Sequence, residues 1–416
     1  MIHKILIRSA IVLLVCGGMT FLPGFPCNAA MGQSVIIGAQ ITLLEQQSEE
    51  DRRYLFAQLR TSGFNTIILR VFQNSTDRHH QFPDSQSSPP SAGVYFQTSL
   101  VPVVNDLLPS VCADAHAEGL RVFAWMTTLH ANYNHPELPQ SHAYNPSSGQ
   151  YQATGALDPG ARCNQNFLTA LFQDLAANPI DGILFQDDLT SRHTVGFLPD
   201  SSGKNFLPKP QSLYQFNDHG TKIAGYQPSF WQWTEKKARG LQSLANALMA
   251  ACRQVNPELQ FAQNINYEVL LTPQWGQAWF SQTCEALGSS TADYFFIMAY
   301  QQQIYQELAL GSEKELHEIM ARLFKAGERL EKGRQRVIFK LQAVDWHQQK
   351  PETVRTLTGF LQLLKAADRQ SVILMPYNTN LFARTMAEFT KQQVVFLDNR
   401  KAVTQGNSGN GKGYHE

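Results

Sequence analysis

The sequence has no excess of either charge: 34 lysines and arginines face 34 aspartates and glutamates over 416 residues. Without a basic surplus, neither nucleic acid nor an anionic membrane is an expected partner. No GxGxxG follows the first strand-like run and no GxxxxGK[ST] occurs, which argues against the dinucleotide and P-loop folds. GxSxG is missing, and with it the usual elbow of a Ser/His/Asp hydrolase. Neither HExxH nor CxxC is present. His130, His135 and His142 share one loop without ligand spacing, so no metal is expected, and nothing calls for a cofactor. No apolar run reaches the roughly 20 uninterrupted residues that a membrane span needs.

What is there begins with a leader. Lys4 and Arg8 precede the apolar stretch Ser9 to Val15, and Asn28, Ala29 and Ala30 supply small residues, the layout of a secretory signal over residues 1–30. Gly17, Gly18 and Pro23 interrupt the stretch. The expected product is therefore a periplasmic or secreted chain with no stable membrane insertion. Loss of Lys4 and Arg8 leaves 32 basic against 34 acidic residues, a formal −2. Cys112, Cys163, Cys252 and Cys284 remain, and export permits disulfides. They read mainly as buried small hydrophobes; if a bridge forms, Cys252 with Cys284 is the pair, since both fall on successive predicted helices.

Strand-like runs recur at Val35 to Ile41, Thr66 to Phe72, Arg121 to Met126, Gly182 to Gln186, Gln260 to Asn264, Tyr294 to Ala299, Arg336 to Leu341 and Ser371 to Met375. Their continuous apolar character predicts strands covered on both faces, as in parallel sheets. Helical patterns lie between them. Ser48 is placed to cap "EEDRRYLFAQLRTSG", which Gly63 would stop. Pro351 suits a first helical turn in "KPETVRTLTGFLQLLKAADRQ", with Leu357, Phe360, Leu361 and Leu364 as the apolar stripe. "QWGQAWFSQTCEALG" reads as one crossover, and "LFARTMAEFTKQQ" as a last helix. The alternation predicts a (β/α)₈ TIM barrel, one domain over residues 31–398 with a flexible tail over 399–416. Residues 73–99, 127–160 and 189–228 are long loops that all follow strands, so they should crown the C-terminal face as a lid or groove wall.

"IDGILFQDDLT" ends the fourth run with Asp187 and Asp188. Side chains alternate along a strand, so one aspartate should face the barrel mouth while the other turns away or holds its neighbour. Charges there are costly unless solvated, paired or used. A helix cap with a loop salt bridge is the structural alternative. Other strand ends carry Arg70, Trp125, Asn264, Glu268, Tyr300, Asp345 and Trp346. Carboxylates joined by aromatic faces suit glycoside hydrolysis, where one carboxyl protonates the leaving oxygen and a second acts as base or nucleophile. Asp187 and Asp188 lead as catalytic residues, followed by Glu268 and Asp345. Arg70, Trp125, Asn264, Tyr300 and Trp346 are expected to bind sugar.

"DGILFQDD", "GFNTIILRVF", "EGLRVFAWM", "LDPGAR" and "KLQAVDW" resemble the C-terminal hydrolase domain of the PgaB-type poly-β-1,6-N-acetylglucosamine processing proteins. The resemblance implies a barrel that binds and cleaves partially deacetylated polymer beside exopolysaccharide export machinery. By that match Asp187 and Asp188 are active-site acids, and Asp158 and Trp346 line the substrate groove. Gln186 stands where that family has histidine, and "AYQQQIYQE" replaces its Pro-Tyr-Met-Glu stretch. No segment matches that family's N-terminal deacetylase domain, so deacetylation is not expected. A barrel that binds polysaccharide without cutting it is the alternative.

Overall fold

The apolar runs form the eight strands β1 (Ile37–Ile41), β2 (Thr66–Arg70), β3 (Arg121–Met126), β4 (Gly182–Phe185), β5 (Gln260–Asn266), β6 (Tyr294–Met298), β7 (Val337–Gln342) and β8 (Val372–Met375). The structure, a computed structural model, describes residues 35–81, 89–133, 137–199, 206–331, 336–346, 350–377, 381 and 383–388. The leader, His135, the end of the expected domain and the tail lie outside the described residues. The strands pair in parallel in chain order, and β8 closes onto β1 with Ile37 beside Val372. The expected (β/α)₈ barrel is the fold. Every residue of β2, β4, β6 and β7 is buried, which is why these segments are apolar without alternation.

Side chains fill the lumen. Phe123 of β3 packs against β4 where Gly182 leaves space: a Cβ at 182 would stand 2.3 Å from the Phe123 ring. On its other side Phe123 meets Tyr294 and Phe296 of β6, with centroids 6.2 and 6.4 Å away.

Local chemistry sets the helix ends. Ser48 Oγ accepts the Asp51 N–H at 3.0 Å to start Glu49–Thr61, and Gly63 follows at φ +91°. Pro351 does not enter a helix. Thr353 Oγ1 accepts the Thr356 N–H at 3.0 Å and starts Val354–Ala366, while Lys350–Pro351 pairs antiparallel with Val344–Asp345. The crossover expected as one helix after β5 is divided. Ser281 turns left-handed at φ 50°, ending Pro273–Phe280, and Thr283 caps Cys284–Gly288 by accepting the Ala286 N–H.

The inserted segments hold more structure than loops. Gln140–Asn145, Gln150–Leu157, Val195–Pro199 and Phe206–Leu207 form a four-stranded sheet, and Tyr214–Phe216 pairs with Ile223–Tyr226. They gather over a second apolar core made by Tyr144, Phe197, Leu213, Tyr214, Phe230 and Ala278, separate from that of the barrel. All four cysteines are free, so the expected Cys252–Cys284 bridge is absent. Cys252 Sγ lies 3.3 Å from the Phe172 carbonyl and Cys284 Sγ 3.8 Å from that of Val269; Cys163 is exposed rather than buried. Among the described residues, no helix is long and apolar enough to cross a membrane.

Candidate functional site

Strand alternation separates the two aspartates after β4. Asp187 opens into a cavity of about 170 Å³ at the barrel mouth, whose walls include Trp125, Asn264, Tyr300, Lys340 and Trp346. Asp188 turns to the loop after β3. It accepts hydrogen bonds from the Thr128 N–H at 2.8 Å, the Thr128 hydroxyl at 2.6 Å and the His130 N–H at 2.8 Å, with Thr127 Oγ1 at 2.7 Å. Asp188 is thus tied to the loop after β3 and does not line the cavity that Asp187 enters.

Asp187 is reached by solvent through the cavity yet enclosed by protein. That enclosure raises its pKa; Lys340 pulls it back and Asp188 pushes it further up. Lys340, on β7, is 1 % exposed and donates from Nζ to Asn264 Oδ1 at 3.0 Å. Burial pushes its ammonium down to about 7, against the opposing pull of Asp187. This lysine was not among the expected site residues. The available signal is a cation between Phe339 and Leu341 inside an otherwise apolar strand.

The aromatic residues form the other walls. Tyr300 meets Trp346 edge to face, with centroids 4.8 Å apart, and its hydroxyl lies 3.0 Å from Met375 Sδ. Trp125 packs edge-on against Phe72, while its buried indole N–H has no partner among the described residues. Behind the wall, Glu307 receives the Tyr267 hydroxyl and the Gln303 amide, both at 2.8 Å.

The remaining expected residues are elsewhere. Arg70, the last residue of β2, is buried, paired with Asp77 at 3.3 Å and donating to the Arg78 carbonyl at 2.6 Å, so it braces a loop instead of lining the cavity. Glu268 begins the short helix Glu268–Leu271, is 4 % exposed and does not line the cavity. Burial first, and Glu307 next among the raising influences, push its carboxyl up to about 7. Asp345 sits in the hairpin that carries Trp346, outside the lining. Asp158 accepts the Gly160 N–H at 2.9 Å and lines a different groove of about 1020 Å³, flanked by helices Arg162–Ala176 and Pro228–Val255. Gln186 also misses the cavity, lining a space of about 20 Å³ with Gln242 and Gln282. The residue that differs from the His-Asp-Asp pattern is therefore on the far side of β4 from Asp187. Among the described residues, no three His, Cys, Asp or Glu side chains converge as metal ligands.

Solved structures share this architecture. The glycoside hydrolase domain of PgaB (BpsB) from Bordetella bronchiseptica superposes with a TM-score of 0.60 at 20% identity, over 83% of this chain and 95% of that one. A β-galactosidase from the psychrophilic Marinomonas ef1 gives 0.56 at 11% identity, over 88% of this chain and 60% of that one. An endo-1,4-β-mannanase from Rhizomucor miehei gives 0.50 at 8% identity, over 86% and 95%. Identities this low speak to the fold alone. No curated protein matches. The model of hypothetical glycosyl hydrolase family 13 matches residues 47–375, so the chain belongs to that family and is a glycoside hydrolase on a (β/α)₈ barrel.

Proposed function

We propose that the protein is exported and cleaves an amino-sugar polysaccharide such as partially deacetylated poly-β-1,6-N-acetylglucosamine. The observation that carries this reading is that Asp187, a carboxylate, lines a cavity walled by Trp125, Tyr300 and Trp346. In this reading the Asp187 carboxyl, its pKa shifted upward by its surroundings, gives a proton to the leaving glycosidic oxygen, while aromatic faces hold the ring and help exclude water. As the C1–O bond breaks, the proton passes from Asp187 to the departing oxygen, and water adds to the anomeric carbon as it gives one proton to a second carboxylate, Asp187 then regaining its own from solvent. Asp345, beside Trp346 in the chain, is the proposed second carboxylate, and Asn264 holds the Lys340 ammonium beneath the sugar. Export rests on the leader over residues 1–30, and the location in this reading is periplasmic or secreted.

The experiment is incubation with partially deacetylated poly-β-1,6-N-acetylglucosamine, followed by mass spectrometry of the products. Wild type yields shorter oligomers. Asp187→Asn, with unchanged circular dichroism, loses about 10² to 10⁴-fold in rate. A second reading, a barrel that binds polymer for export machinery without cutting it, is favoured by the presence of a single lining carboxylate among the described residues. Tight binding with no products from any amino-sugar polymer would replace the first reading with the second.

A further inference from the structure

Two tryptophans away from the cavity face water. Trp275 and Trp279 lie four residues apart on helix Pro273–Phe280, hence on one side of it. They are 46 % and 39 % exposed, their ring planes agree to 8° and their centroids are 5.5 Å apart. Trp279 adjoins Tyr226, whose hydroxyl lies 2.8 Å from His193 Nδ1. The helix contains no charged residue, and Pro273 and Gln274 complete its exposed surface.

This helix is fastened to the segment that follows the catalytic strand. The Ser281 hydroxyl donates to the Ser191 carbonyl at 2.8 Å, and the Ser191 N–H donates to the Phe280 carbonyl at 3.1 Å. Size selects the occupant. With 46 % and 39 % of their surfaces exposed, the two indoles offer roughly 130 to 210 Å², far short of the about 800 Å² that each partner gives to a standard protein interface. An uncharged, flat and rigid apolar face with an amide at its edge matches the CH face and hydroxyl rim of a pyranose.

We infer that Trp275 and Trp279 form a second sugar-binding site, a stacking platform for a distal stretch of the polysaccharide that is cut at Asp187. The identity of that polymer rests on the reading under Proposed function.

The test is affinity electrophoresis through gels containing partially deacetylated poly-β-1,6-N-acetylglucosamine, in an Asp187→Asn background so that the gel is not cut. Trp275→Ala, which leaves Trp279 beside Tyr226, and the Trp275→Ala/Trp279→Ala double variant should weaken retention about tenfold. With Asp187 restored, kcat/KM on polymer should fall by a similar factor while cleavage of short oligomers is unchanged. Retention that ignores both substitutions, or no retention of the parent, overturns the platform. If wild type cuts nothing yet retention depends on Trp275, the hydrolase reading fails and the platform stands; cleavage with retention indifferent to Trp275 gives the reverse.

Discussion

Single residues divide the labour at the end of β4. Alternation foretold that Asp187 and Asp188 would part, but not which would face the cavity, because the groups holding Asp188 are backbone and hydroxyl donors some sixty residues upstream. Lys340 was legible only as an oddity, a cation in an apolar strand, and its bearing on Asp187 appears once β4 and β7 are curled into one mouth. Lys340→Met removes the charge that restrains Asp187, so the Asp187 ionisation read from the pH profile of kcat/KM should move upward, with the larger loss in kcat than in KM. Glu268 supplies a stability prediction. Its folded pKa, about 7, exceeds the unfolded value near 4.5, so the folded chain binds more protons between those values. Its contribution is fully present below about pH 4.5 and lost as pH rises through 7, a change of about 3 kcal/mol. Urea unfolding at pH 5 and pH 8 should show that loss in wild type and largely abolish it in Glu268→Gln.

Elements join through a few buried polar ties as well as apolar faces. Arg52 of helix Glu49–Thr61 meets Asp114 of helix Leu108–Ala117 at 2.7 Å with both side chains 7% exposed, and Arg52 also donates to the Gln47 carbonyl at 2.9 Å. Removing one partner leaves a charge buried alone. Asp114→Ala should lower unfolding free energy by about 3 to 5 kcal/mol, whereas Arg52→Met/Asp114→Leu should recover most of that by calorimetry. The barrel strands were readable because burial on two sides writes one apolar run into the sequence. The inserted strands were not. Gln150–Leu157 has only Ala156 and Leu157 fully buried, and the partners of Gln140–Asn145 come from two separate stretches, so no local periodicity announces the sheet. Pro351 misled for a similar reason: a helix-starting residue type was nearby, but the Thr353 hydroxyl made the cap.

At the scale of the whole molecule there are two apolar cores, and they should respond differently to damage. Tyr214, 2 % exposed, packs with Tyr144, Phe197 and Phe230 and donates its hydroxyl to the His193 carbonyl at 2.6 Å. Tyr214→Ala should cost about 3 to 5 kcal/mol locally. Hydrogen exchange is expected to rise across residues 140–157, 195–199 and 206–226 while β1 to β8 stay protected; uniform loss of protection would show one cooperative unit instead. The eight-fold repeat was legible at this scale, whereas the second core depends on mostly aromatic residues scattered between Tyr144 and Phe230, with Ala278 beyond them. The Phe123 ring seated over Gly182 has a consequence for traffic. Because aromatic rings stopper the lumen, the mouth that holds Asp187 is a blind well, not a tunnel, and no sugar strand can be drawn through the molecule as thread through an eyelet. A long chain must arrive and depart on the same side, and any sliding between cuts runs across the rim.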